Sequence, residues 1–311
     1  MIGIKSIASY IPDDFVDNYT QAKLFDETDD FIKNKIGAER LPRKKPEQET
    51  SDLVEMAVLN LLKKCPELDK SKIDALIVVT QNPDEEGLPH TAAIAQRKLN
   101  LPTSVAAFDV SLGCSGYVYG LSIIKGFLET SGLKNGILVT CDPYSKIINM
   151  DDRITSMLFG DAATATWMGD NPYWRLDSIS YGTDGSGSEY LKLVNQKLLM
   201  NGRQIFNFAA TQVEPNITEI LKRAGLQPED VDLYCLHQGS AAIIDAISRR
   251  FPSVSERFVK KMTNTGNTVS SSIPILLEEE LFNKNINRIL ICGFGVGLSI
   301  ATAIITEVGK E

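Results

Sequence analysis

Residues 61–81, LLKKCPELDKSKIDALIVVTQ, are echoed in outline by residues 220–239, ILKRAGLQPEDVDLYCLHQG. Each reads as the end of an amphipathic helix, an acidic turn, an Ile/Val-Asp step and then a short apolar run, the mark of a buried strand. Two further pairs keep the same order. GILVTCD at 136–142 parallels RILICGF at 288–294, and KSIASYIPD at 5–13 parallels LDSISYGTD at 176–184. A repeat of this length is far longer than a solenoid unit and points to duplication of a whole half-molecule. The run MGDNPYW at 168–174 sets Gly, Asp, Asn and Pro between two strand patterns, so the halves are expected at 1–170 and 171–311. Each sheet needs both faces covered, which predicts shared central helices and a single packed body.

Working outward, short apolar strands alternate with amphipathic helices, the pattern of a layered α/β protein. Strands are expected at 2–9, 75–80, 106–109, 136–140 and 162–168, and again at 175–181, 233–236, 258–261, 288–292 and 299–307. Helices are expected at 51–64, 91–99, 114–130, 213–224, 241–251 and 271–281.

The 311 residues are 43% apolar and 23% charged, ordinary for a globular chain able to bury a large core. A net charge of −8 argues against a general nucleic-acid binder. The N-terminus lacks the basic and apolar regions of a signal peptide, and no apolar stretch reaches membrane-spanning length. Five scattered cysteines without a CxxC pair fit reduced thiols in the cytosol and support neither a zinc site nor a disulfide framework. Basic runs at Arg40, Arg43, Lys44 and Lys45, at Arg249 and Arg250, and at Lys260 and Lys261 read as solvated faces or as docking sites for an acidic partner.

Three segments carry chemistry. In DVSLGCSGYVYG, 109–120, a strand turns into a helix at Cys114, where the helix N-terminus is expected to draw the thiol toward thiolate. The competing reading is a small buried core cysteine, which serves well for the other four. His237, one of only two histidines, closes the strand DLYCL at the edge where open α/β sheets gather ligands; a loop histidine serving structure is the alternative. His90 carries no further chemical cue and is expected to be structural. In KMTNTGNTVSSSIP, 261–274, the repeat sets Asn267 opposite the Cys114 turn, since Cys114–Gly136 and Gly266–Arg288 have the same spacing of 22. An amide there can donate to a developing oxyanion, although Asn-Thr-Gly-Asn also makes a good tight turn. GFGVG at 293–297 precedes a terminal strand pattern, which excludes a dinucleotide loop and favours close backbone approach to a ligand. GTDGSGSEY at 182–190 reads as a flexible turn.

With LGCSGY, LHQ, GNTVSSSIP and GFGVG in this order, joined by FGDAATA at 159–165 and TDGSGSEYL at 183–191, the chain resembles the ketoacyl-acyl-carrier-protein synthase III family of the thiolase superfamily along its length. The resemblance implies a five-layered αβαβα fold, a homodimer, and a triad of Cys114, His237 and Asn267. It further implies an acyltransferase that accepts an acyl group from acyl-CoA on Cys114, under the amides of Cys114 and Val296. Decarboxylative condensation with malonyl-ACP follows, His237 and Asn267 donating to the thioester carbonyl. Phe294 is placed beside the cysteine, and no metal or redox cofactor is implied.

The pattern is departed from at several contacts. Phe31 stands where an adenine-stacking Trp is usual, with Arg153 as a neighbouring phosphate or adenine contact. Ser240 replaces an Asn near the pantetheine channel, Leu88 takes the bulky pocket position before Pro89, and Asn207 and Ala242 replace basic residues. Arg249 and Arg250 keep a basic pair for carrier docking. These changes open a specialised lipid or secondary-metabolite role beside fatty-acid initiation. Other readings are acyl transfer to an alcohol or amine, a silent carrier-binding partner, and a cysteine hydrolase, whose local sequence contexts are absent.

Overall fold

The computed structural model describes residues 1–309. The first half runs through β1 (Ile2–Tyr10), β2 (Phe15–Asp17), α1 (Asn18–Leu24), a π-helical turn (Phe31–Ile36), β3 (Arg40–Pro42), α2 (Thr50–Lys64), β4 (Ala75–Val79) and α3 (Thr91–Lys98). It continues through β5 (Ala106–Val110), α4 (Gly116–Ser131), β6 (Asn135–Cys141), α5 (Arg153–Ser156) and β7 (Ala163–Asp170). The second half comprises β8 (Trp174–Thr183), a hairpin of β9 (Leu191–Val194) and β10 (Lys197–Met200), and α6 (Gly202–Ala224). It closes with β11 (Leu233–Leu236), α7 (Ala241–Ser248), α8 (Ser272–Glu280), β12 (Arg288–Gly295) and β13 (Ser299–Glu307).

The main strands lie in the order β11-β12-β13-β8-β1-β7-β6-β4-β5, but β8 and β1 share only the pair Ile4–Trp174, so two sheets meet there edge to edge. Their orders match: β1-β7-β6-β4-β5 in one, β8-β13-β12-β11 in the other. In both, the strand after the helix (β4, β11) runs parallel to the strand that follows in the repeat (β6, β12). The remaining pairs β6–β7 and β12–β13 are antiparallel. This is the duplicated order expected from the sequence, with one correction. The expected strand 258–261 is reduced to a single bridge between Tyr234 and Phe258. Side chains hold that segment instead: the Tyr234 and Phe258 rings stack at 4.4 Å, while Gln238 donates to Val259 O and accepts from Lys261 N–H.

Apolar periodicity sets the layers. Leu53, Val54, Ala57 and Leu61 of α2 pack with α3 on the outer face of the first sheet. On the outer face of the second sheet, Val213, Ile217 and Ile220 of α6 pack with Ile243 and Ile247 of α7. Between the sheets, Tyr117, Leu121 and Ile124 of α4 and Ile273, Leu276 and Leu277 of α8 bury against both. The result is the five-layered αβαβα arrangement of the thiolase fold.

Helix boundaries shift where the core does not govern the pattern. Helix α6 begins at Gly202, not 213, capped by the Asn201 side chain accepting Gln204 N–H; its first turn points Ile205 and Phe206 into a cleft, which breaks the core-facing period. Helix α7 stops at Ser248, short of 251, as the chain turns through Arg249. The segment expected as a flexible turn contains an Asp184-capped 3-10 helix, Gly185–Tyr190, and Asp184 and Leu298 exchange both backbone hydrogen bonds at 2.8 and 3.0 Å.

Candidate active site

Cys114 sits two residues ahead of α4, at the C-terminal edge of the first sheet, where Gly113 and Gly116 let neighbours close in. A Cβ on Gly113 would meet Gln81 Oε1 at 2.6 Å, and one on Gly116 would meet Val79 Cγ1 at 2.5 Å. From the other half, β12 ends against the same cysteine. A Cβ on Gly293 would lie 2.5 Å from Cys114 O, and one on Gly295 would lie 2.8 Å from Cys114 Sγ. Gly293 and Gly295 of the GFGVG segment are therefore glycines because their backbone presses on the nucleophile candidate itself.

The backbone amides of Cys114 and Val296 bear on the sulfur and favour its charged form. They do not produce a thiolate at rest. Full burial, reinforced by the Asp142 carboxylate, pushes the thiol up to about 12. The expectation that the helix start draws this cysteine toward thiolate is corrected: desolvation outweighs the two amides. Asp142 is itself buried and raised to about 6 by desolvation, against hydrogen bonds from Gln81 N–H and the Ser270 hydroxyl.

His237 follows β11 and is buried edge-on against Phe294, their ring centroids 5.5 Å apart. Burial holds its imidazole down to about 3, so the ring is neutral in the resting enzyme. Its Nδ1 lies 2.8 Å from Ser272 Oγ, and the Ser272 hydroxyl donates to Val269 O at 3.0 Å. With the serine proton committed there, the imidazole proton belongs on Nδ1 and Nε2 keeps a free lone pair. Asn267 is oriented by the same residue: its Oδ1 accepts Val269 N–H at 2.9 Å, leaving Nδ2 as a donor, with only a long contact of 3.4 Å to Gly239 O. Val269 is buried with φ +53°, a left-handed conformation that a β-branched side chain strongly disfavours and that costs about 1–3 kcal/mol. That strained turn aims one peptide at Asn267 and the next at the histidine relay.

Cys114, His237, Asn267 and Phe294 all line one cleft of about 210 Å³, open to solvent. Ser240 and Ala242, at the start of α7, line it too, as does Lys35 from the π-helical turn. Phe31 and Arg153 stand at the rim rather than in the lining; the Arg153 guanidinium lies 5.6 Å over the Phe31 ring and pairs with Glu27. Arg249 and Arg250 are exposed just past α7, and Asn207 is exposed on α6. Leu88 does not line this cleft: it is 88% exposed beyond β4. His90 stands at the start of α3 with Nε2 3.1 Å from Ala107 O, tying that helix to β5. The sequence reading missed Ser272, Val269, Asp142 and Tyr144. The serine run at 270–272 was the only visible signal, and nothing in it marks which serine reaches the histidine.

The 3-oxoacyl-[acyl-carrier-protein] synthase III family model matches residues 108–185, and its C-terminal model matches residues 221–306. A β-ketoacyl-[acyl-carrier-protein] synthase III of Listeria monocytogenes is 36% identical over 97% of this chain and 98% of its own length. The chain belongs to this family. The family's Thermus thermophilus crystal structure superposes with a TM-score of 0.90 at 32% identity, covering 99% of each chain. The priming β-ketosynthase of the R1128 polyketide pathway gives 0.88 at 26% identity, covering 98% of this chain and 96% of that one. The protein is thus an acyltransferase of the β-ketoacyl synthase III type.

Proposed function

We propose that the protein lengthens a primer acyl group held on Cys114 by decarboxylative condensation with malonyl-ACP. The observation that carries this reading is the convergence of Cys114, His237 and Asn267 on one cleft, beneath the Cys114 and Val296 amides. His237 Nε2 takes the Cys114 proton as sulfur attacks the acyl-CoA carbonyl; the two amides hold the oxyanion, and CoA leaves as thiolate and takes a proton from solvent. The incoming malonyl carboxylate then supplies the counter-charge for the imidazolium. Nε2–H and Asn267 Nδ2 donate to the malonyl thioester carbonyl as the C–C bond to CO2 breaks, and the resulting enolate attacks the acyl-Cys. Cys114 departs and recovers the proton from His237, so one proton shuttles between these two residues and the cycle closes.

The rim fits a long thioester arm. Phe31 and Arg153 form a stacking and charged surface for a CoA nucleotide, and Ser240 lies along the route inward. Helix α7 starts at the cleft and ends about 12 Å away at Arg249 and Arg250, a span suited to a phosphopantetheine arm on an acidic carrier protein docked there. The halves 1–170 and 171–311 act as paired copies, one supplying the nucleophile and the other His237 and Asn267. A homodimer is supported by the open edge of the five-residue β5, half-buried along its length, and by the exposed Leu88, on the loop after β4, and Leu193, on β9. Leu88 would then serve the pocket of a partner copy. A cytoplasmic location agrees with five buried free thiols, and no helix among the described residues is long and apolar enough to cross a membrane. Intact-mass measurement after incubation with acyl-CoAs tests the reading. An acyl adduct on the wild type that vanishes in Cys114→Ala is expected; the same adduct on the variant would refute it.

A further inference from the structure

Among the buried residues of its lining, the cleft contains one polar side chain that neither half-reaction uses. Tyr144 follows β6 within the sequence CDPY, is only 2% exposed, and lines the cleft with Cys114. Its neighbours along that wall are apolar: Leu158, Phe159, Leu191, Met200 and Ile205. The ring is wedged against Phe159 with centroids 4.7 Å apart, and its carbonyl accepts both Ile147 and Ile148 N–H at 2.9 Å, so the side chain is held on a fixed base. None of the described residues accepts the phenol proton. Burial and the proximity of Cys114 and Asp142 raise the phenol well above its usual value, which keeps it a donor. The other polar side chains on the lining are engaged or exposed: Cys114, His237 and Asn267 in the reaction, Ser240 in accepting Ile243 N–H, and Lys35 exposed on the π-helical turn. Phenylalanine would fill the same space, so packing alone gives no reason for a hydroxyl on this wall of the cleft.

We propose that Tyr144 selects the primer: the acyl group that loads onto Cys114 carries a neutral oxygen acceptor along its chain, a hydroxyl or a keto or amide carbonyl, and the phenol donates to it. The inference rests on the condensing reading above and adds the substrate class to it. Neutrality follows from the apolar wall around the phenol, where an anionic chain end would lose its hydration and face the buried Asp142 carboxylate, while Lys35, the cation on the lining, stands exposed on the π-helical turn.

Pairs of equal shape test this: 3-hydroxybutyryl-CoA against 3-methylbutyryl-CoA, and 4-oxopentanoyl-CoA against 4-methylpentanoyl-CoA, with succinyl-CoA as the anionic probe. Cys114 acylation is followed as kcat/KM by CoA release. In at least one pair the oxygenated member is expected to exceed its alkyl twin by about tenfold, and Tyr144→Phe should remove about that factor from the ratio. Succinyl-CoA should be the poorest substrate. Alkyl members equal or faster in both pairs would overturn the proposal without any variant, and so would an oxygen preference that survives in Tyr144→Phe. If alkyl primers load and condense normally in that event, the condensing function stands and only the primer class falls. Acylation by none of the five would sink both.

Discussion

Cys114 combines the geometry of a nucleophile with the proton affinity of a core thiol. Its two amide donors are in place, yet burial and Asp142 keep the proton on sulfur until a base removes it. Alkylation of the resting enzyme by iodoacetamide should therefore climb with pH from 7 to 10, up to about tenfold per unit. A plateau near pH 7 in that rate profile would contradict the protonated ground state. The histidine relay makes a second residue-scale prediction. Ser272→Ala leaves Nδ1 without its acceptor and frees the ring tautomer, so kcat for condensation should fall on the order of 10–100-fold. Stopped assays of CO2 release, with circular dichroism to confirm folding, check this. Cys114, His237 and Asn267 were readable because each sits at the end of a repeated strand or turn motif. Ser272 and Tyr144 were not, because one is the last of three adjacent serines and the other looks like any aromatic after a strand. Which of them meets the cleft depends on how α8 and the turn after β6 are rotated.

At the scale of elements, two strand ends and two helix starts had to be brought within contact distance, and β12 does this by omitting side chains. Gly293→Ala would drive a Cβ into Cys114 O and Ser115 Cα, backbone atoms that cannot swing aside. It should cost about 1–3 kcal/mol of stability by overpacking and should slow acylation by moving the Val296 amide. Urea melts together with the acyl-adduct assay report both effects; a variant of unchanged stability and rate would show that the contact can relax. The elements themselves were legible where periodicity answers to the core, as in β4, β6, β11 and β13. They were missed where residues face a cleft or another side chain. The first turns of α6 serve the cleft, the 258–261 segment is held by ring stacking, and the β9–β10 hairpin has mixed exposure without a clean alternation.

For the whole molecule, burial of reactive groups has a cost that pH exposes. Cys114, Cys141, Cys235 and Cys292 are all fully buried with thiols raised by desolvation, whereas in the unfolded chain they titrate near 8.5. Below that pH both states hold the protons and the four thiols do not affect the balance. Above it the unfolded chain releases them while the native state keeps them, so stability is lost as pH rises from about 9 toward 12, by up to about 1.4 kcal/mol per unit for each thiol. Denaturation midpoints measured from pH 8 to 10.5 should fall with pH, and Cys235→Ala should flatten that slope by about one proton. An unchanged slope would mean that Cys235 is reached by hydroxide in the native state.

The central layer, shared between the two sheets, bears on how the chain is made. When residues 1–170 have left the ribosome, Ile4, Ile7, Ile77 and Met168 already form the inner face of a sheet, but α8, which completes the cover, ends at residue 280. At usual elongation rates those 110 residues take roughly 5–20 s to synthesise. Throughout that interval the nascent first half presents a greasy, half-roofed sheet to its surroundings. The duplication that sets cysteine opposite histidine thus also makes the emerging polypeptide a client for chaperones that bind before synthesis ends.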